Sequence, residues 1–138
     1  MIEIGLLNRD LVALLSKMGH GDQLLICDAG FAIPEGLPVV DLSLTVNVPT
    51  VDTVLTEILK YFSMEKVIFA QEQADANPKK LGKLMAILGE SIEQETIGHG
   101  ELKQRSRSVK GVIRTGDFSA YTNLILVSGA GNRWIMEK

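Results

Sequence analysis

The chain has 138 residues, a length that suits one domain with one real core, and its 46% apolar and 22% charged residues give the profile of a soluble globular protein. A net charge of −3 excludes the cation-rich surface that sequence-independent nucleic-acid binding needs. The single cysteine, Cys27, excludes an intrachain disulfide framework and a cysteine-rich zinc site, and no apolar run approaches the ~18 residues of a membrane span.

The opening MIEIGLLNRD lacks the charged start and continuous apolar stretch of a signal peptide, so the expected location is cytoplasmic. NRDLVALLSKMG then places Leu11, Leu14, Leu15 and Met18 on one helical face, with Asn8 or Asp10 to cap it and Gly19 to stop it. QLLIC, residues 23–27, is the short apolar run of a strand covered on both faces, and Cys27 inside it reads as a small buried apolar side chain. VDLSLTV alternates Val40, Leu42, Leu44 and Val46 with polar residues, the pattern of a half-buried strand. PTVDTVLTEILKYF returns to helical period, and KVIFA reads as another buried strand.

Further on, Asn77 can cap a helix with Pro78 at its first position, Leu81, Leu84, Met85 and Leu88 form its stripe, and Gly89 closes it. IEQETIG is a polar strand suited to a sheet edge, ELKQRSRS a short surface helix, and the basic run KQRSRSVK, residues 103–110, reads as a solvated face. GVIRTG and TNLILVSG end the pattern as strands around a polar turn. Strands separated by helices of this length imply an α/β fold: a single-domain layered structure over residues 1–138, with a mostly parallel central sheet flanked by helices.

In open α/β sheets, ligands are bound outside the carboxyl ends of the strands. Asp28 follows LLIC, His99 follows the strand ending at Ile97, and GDFSAYTN (116–123) follows VIR and turns back into the last strand. His20 stands between two glycines just before the first strand. To join the others, its turn must fold toward the same rim or toward a neighbouring subunit. Each residue also has a plain structural reading. His20 suits a helix C-terminus and Asp28 an Asx turn before Gly30, while His99, Tyr121 and Asn123 suit a surface loop, a core edge and a turn. The motifs GHG and GAG lack the third glycine of a dinucleotide fingerprint, no Walker lysine loop or G-x-S-x-G elbow occurs, and the histidines and acids lack recognised metal-ligand spacing.

Taken together, LLSKMGHGDQLLICDAGFAIP, DLSLTVNVP, ANP and VIRTGDFSAYTNLILVSG strongly resemble the D-ribose pyranase family, sugar mutarotases related to the L-fucose mutarotases. The resemblance covers residues 4 to 131 in motif order and spacing. It implies that His20 is a proton donor and that Asp28 lies in the sugar site. It gives His99, ahead of GELK, the place of a second histidine, and it makes Tyr121, Thr122 and Asn123 the Y-x-N turn that contacts the sugar. It implies no metal or nucleotide cofactor, a small neutral monosaccharide (D-ribose) as ligand, no nucleic acid or membrane partner, and a ring-like homo-oligomer with sites at subunit boundaries. Three departures stand out: Phe31-Ala32 before Ile33-Pro34, Ala120 where a proline is common, and the tail NRWIMEK after the last strand.

The chemistry fits these residue types. Interconverting pyranose and furanose requires protonation of the ring oxygen and removal of the anomeric hydroxyl proton. An imidazole, with an ordinary pKa near ~6.5, can do the first at neutral pH. Asp28 serves either as the base, directly or through water, or as the partner that holds the charged histidine. General acid–base help of roughly 10²–10⁴-fold is useful for sugars, which already open in water. The expected activity is therefore that of a cofactor-independent isomerase. Its alternatives are an L-fucose mutarotase and a non-catalytic monosaccharide-binding protein on the same scaffold.

Overall fold

The structure is a computed structural model and describes residues 1–137. Helix α1 (Arg9–Ser16) begins where Asn8 Oδ1 accepts the Leu11 N–H at 2.9 Å, and it buries Leu11 and Leu14. Strand β1 (Gln23–Cys27) is buried from Leu24 onward. Strand β2 (Val39–Asp41) starts one residue before the expected VDLSLTV strand and keeps only its Val40 and Asp41. Its alternation is real, but Leu44 and Val46 are exposed, because the chain leaves the sheet and turns at Asn47, which adopts φ 59°. Alternation implies a strand only where a neighbouring strand accepts its backbone.

Thr50 caps helix α2 (Val51–Leu59), whose apolar face is buried throughout, and strand β3 (Met64–Ala70) follows. A short helix that periodicity does not reveal, α3 (Gln71–Ala76), leads into α4 (Pro78–Leu88), which has proline in its first turn and Gly89 at φ 86° as its cap. The expected edge strand is β4 (Glu93–Ile97). His99 opens helix α5 (His99–Arg105), and β5 (Gly111–Arg114) and β6 (Leu124–Ser128) complete the sheet.

The six strands lie in the order β2-β5-β1-β6-β3-β4. β6 alone runs antiparallel to its neighbours β1 and β3, and the β2–β5, β5–β1 and β3–β4 pairs are parallel. Successive residues of each strand face opposite sides, so two cores form. Leu24, Ile26, Val67, Phe69, Leu124 and Leu126 meet α1, α2 and α4 on one face. Leu25, Cys27, Ile68, Ala70, Ile125 and Val127 meet Leu102 of α5 and Phe31 on the other. Burial pushes the Cys27 thiol up to about 12, so it is an inert apolar filler, as its setting in LLIC implies.

This topology sorts the loops onto two rims. The carboxyl ends of β1, β2, β3, β4 and β5 and the start of β6 share one rim, which carries Asp28, Asp41, α3, His99, Arg114 and the 116–123 segment. The opposite rim carries the 19–22 turn, Glu65 and the end of β6, and there Gly21 at φ 87° donates its N–H to the Ser128 carbonyl at 2.8 Å. No helix among the described residues is long and apolar enough to cross a membrane. In the tail, Trp134, Ile135 and Met136 are exposed, and Lys138 lies outside the described residues.

Candidate active site

Asp28 takes its place because β1 ends at Cys27 and the chain immediately turns. Gly30 donates its N–H to Asp28 Oδ1 at 3.1 Å, which is the Asx turn expected from the sequence. The Asp28 N–H in turn donates to Asn123 Oδ1 at 3.0 Å. This bond joins the end of β1 to the start of β6, so Asp28 and Asn123 are set by adjacent strands rather than by free loops. Burial holds the Asp28 carboxyl above the usual carboxylate range. It outweighs the lowering pull of hydrogen bonds from the Gly30 and Thr122 backbone and the Asn123 amide, and nearby Asp117 adds to the rise.

His99 is a helix residue rather than the loop residue its setting in GHG suggests. Its own N–H donates to Glu72 Oε2 of α3 at 2.7 Å, so a glutamate from the neighbouring helix serves the start of α5 in place of a side-chain cap from Gly98. The imidazole stands edge-on between two aromatic rings, with centroids 5.1 Å from Tyr121 and 6.2 Å from Phe31. Its Nδ1 and the Thr122 hydroxyl are buried without a protein hydrogen-bond partner among the described residues. Tyr121 is held at φ 61°, a left-handed conformation that costs a tyrosine on the order of 1 kcal/mol or more. Such strain persists only where the surroundings over-determine it.

The surroundings do so through Asp117, whose side chain is fully buried. Its Oδ2 accepts the Val51 N–H at 2.9 Å and meets Lys80 Nζ at 2.8 Å, its Oδ1 accepts the Ser119 N–H at 2.8 Å, and its carbonyl accepts the Ala29 N–H at 2.9 Å. Lys80 also contacts Asp52 Oδ1 at 2.6 Å, a charge contact whose angles fall outside hydrogen-bond geometry. Burial works to raise the Asp117 carboxyl, but Lys80 and the backbone N–H groups hold it below the usual range. Asn77 does not cap α4 with its side chain as expected. Its Nδ2 donates instead to the Ala120 carbonyl at 2.9 Å, tying the same segment from another side. Gly116 is required here because a Cβ on it would stand 2.5 Å from the Thr45 carbonyl oxygen.

These residues enclose a cavity of about 260 Å³ lined by Asp28, Phe31, His99, Lys103, Tyr121 and Asn123. Four of the side chains singled out in the sequence thus meet in one place, while Thr122, between Tyr121 and Asn123, is fully buried and does not line the cavity. A larger apolar hollow of about 370 Å³, beside Leu14 and Val39, lies away from all of them and carries no comparable chemistry. No cluster of three or more histidine, cysteine or acidic side chains able to hold a metal ion occurs among the described residues.

His20 is elsewhere. It sits on the opposite rim, with Nε2 2.9 Å from Glu65 Oε2 and its ring largely exposed. The five residues of β1 rise ~3.3 Å each, so at least about 16 Å of strand separates the His20 turn from Asp28 in one chain. Its turn therefore does not fold toward the shared rim, because Gly21 is pinned to Ser128 at the other end of the sheet. Glu72, Lys103 and fully buried Gln73 near this rim carry no signal in the sequence. They lie in polar runs with no period and no motif, and only the packing of α3 and α5 against β3 reveals them. The basic run 103–110 is also more than a solvated face: Arg105 bonds Glu95 and Glu101, and Lys110 bonds Asp22.

Fold and cavity define a class of protein: a small α/β sheet protein with a site at the strand ends that offers a carboxylate, an imidazole, a phenol and an amide to a small hydroxyl-rich molecule. The chain belongs to the RbsD / FucU transport protein family, whose model matches residues 1–131. A D-ribose pyranase of Streptococcus agalactiae serotype Ia is 45% identical over 129 residues, covering 94% of this chain and 98% of that protein. One from Pseudothermotoga lettingae is 42% identical over 125 residues, covering 91% of this chain and 89% of that protein. The structure of Bacillus subtilis RbsD complexed with D-ribose superposes with a TM-score of 0.89 at 35% identity, covering 94% of this chain and 98% of that one. A fucose mutarotase from Streptococcus pneumoniae shares the fold, with a TM-score of 0.77 at 22% identity over 91% of this chain and 94% of that one.

Proposed function

We propose that this chain is an isomerase that interconverts the pyranose and furanose forms of free D-ribose without a metal or nucleotide cofactor. The observation that carries the reading is the convergence of Asp28, His99, Tyr121 and Asn123 on one cavity, in a chain whose relatives at 42–45% identity are named D-ribose pyranase. The cavity of about 260 Å³ lies below the ~300–1,000 Å³ of drug-sized sites, which suits a single sugar ring. Its raised carboxyl favours proton transfer near Asp28, and the Tyr121 ring and Asn123 amide suit the C–H face and hydroxyls of a neutral sugar. His20 fits the role of acid only if a neighbouring copy supplies it. The reading therefore includes a homo-oligomer whose sites lie at subunit boundaries.

Saturation-transfer NMR on equilibrated D-ribose tests this. The protein is expected to accelerate exchange between ring forms, and His20→Ala to lose roughly 10²-fold or more of that acceleration while still binding ribose. Ribose binding with exchange left at the buffer rate would instead support the non-catalytic sugar-binding alternative. Faster exchange for L-fucose than for ribose would move the chain to the fucose branch of the family.

A further inference from the structure

Asp28 forms part of the wall of a second cavity. On the other side of Asp28, Gly30 and Ala120 from the His99 site lies a hollow of about 310 Å³, bounded also by Arg114, Phe118 and Ser119. Its walls are firm. The Arg114 guanidinium is held by Asp41 Oδ2 at 3.0 Å, Ser43 Oγ at 2.7 Å and the Ala29 carbonyl at 2.9 Å, and the Ser119 N–H is fixed on Asp117. The exposed Phe118 ring, with Ala29 and Ala120, gives the hollow apolar surface beside its charged and polar groups.

The ring-size change makes a demand that anomer inversion does not. Opening the pyranose breaks the C1–O5 bond. Its electron pair goes to O5, which gains a proton, while O1 gives up its proton and becomes the aldehyde oxygen. Closure to the furanose forms a C1–O4 bond, O4 losing its proton and O1 regaining one. Over this sequence C5 changes from a ring atom into an exocyclic CH2OH group. Interconverting the two pyranose anomers turns only the C1 end and leaves C5 in the ring. A site that produces furanose therefore needs room beside the ring for a hydroxymethyl group that the pyranose lacks.

We infer that the Arg114–Phe118–Ser119 hollow is the subsite that receives this hydroxymethyl group, which makes it a determinant of ring-size exchange as distinct from anomer exchange. Guanidinium N–H groups and the Ser119 hydroxyl suit its oxygen, the Phe118 ring suits its methylene, and shared Asp28 keeps the reacting C1 end in the neighbouring cavity. The inference rests on the proposed ribose activity.

The same NMR measurement reads both exchanges in one sample. Ser119→Leu fills the hollow, and a steric penalty of the usual size for overpacking should lower the ratio of pyranose–furanose exchange to anomer exchange about tenfold. Ser119→Ala, which removes the hydroxyl but leaves the space open, should lower the ratio by less than Ser119→Leu does. Ser119→Val gives the same reading with a smaller plug if the leucine variant does not fold. A ratio unchanged in both bulky variants, whether the two exchanges fall together or neither falls, overturns the subsite and leaves the ribose reading standing. No catalysed exchange in the wild type removes that reading, and the subsite with it.

Discussion

At the scale of single residues, Asp28 is where the proposed chemistry and stability oppose each other. Its folded-state pKa is raised by burial. The stability linked to it is therefore fully present below the unfolded value of about 3.9 and is lost as pH rises through the folded pKa. At neutral pH the charged carboxylate is a cost. Asp28→Asn keeps the shape and an oxygen for the Gly30 N–H, so it should unfold at a higher temperature than the wild type at pH 7. That advantage should shrink as pH falls through the raised folded pKa and be gone below about 4, where the wild-type carboxyl is neutral in both states. The same variant should lose roughly 10²-fold or more of ring exchange. Calorimetry across pH, with NMR exchange at neutral pH, checks both halves. A less stable Asp28→Asn at pH 7 would contradict the assignment of burial as the dominant influence. Residue types were readable here without coordinates, since an aspartate after an apolar strand and a Y-x-N turn before another are placed by topology. The φ of Tyr121, the Glu72 contact and buried Gln73 were not, because each depends on a neighbour distant in sequence.

At the scale of elements, the site segment 116–123 is held by helices that never touch the cavity. Lys80 of α4 bridges Asp117 and Asp52 of α2, and of these the Asp117 side chain is wholly buried. Replacing Lys80 by methionine leaves buried Asp117 without its cation, while Asp52 keeps Lys83 at 3.1 Å, and breaking a buried pair costs about 3–5 kcal/mol. Because the Asp117 pKa is lowered, the stability it contributes is present above the unfolded value of about 3.9 and lost as pH falls through the folded pKa. The gap between wild type and Lys80→Met in urea midpoint should therefore be widest near neutrality and close in acid. Lys80→Arg should recover part of it. Sequence patterns located nearly every element, because buried strands and amphipathic helices have periods. They extended β2 too far, since Leu44 and Val46 alternate without a partner strand, and they passed over α3, since six polar residues carry no period.

At the scale of the whole molecule, the position of His20 is the deciding fact. One chain places Asp28 and His20 on opposite rims of its sheet, so no rotamer change unites them, and the proposed role of His20 requires a second copy to present its opposite rim to the cavity. Exposed Leu44 and Val46 on the loop near the site rim would give such a contact apolar surface. A head-to-tail contact of this kind is heterologous, and it gives the proposed ring when the rotation between copies closes. Mixing separates it from every single-chain mechanism. His20→Ala and Asp28→Asn subunits are each expected to be inactive alone. When they are unfolded together and reassembled in equal amounts, about a quarter of the boundaries should pair an intact His20 with an intact Asp28 and regain activity. The two variants reassembled separately and then mixed should regain none until subunits exchange. Recovery near a quarter, tracked by ribose exchange and by mass in solution, is the outcome that a shared site requires. Zero recovery from oligomers shown to contain both variants would overturn the shared site, and full activity of His20→Ala alone would leave His20 a surface residue paired with Glu65.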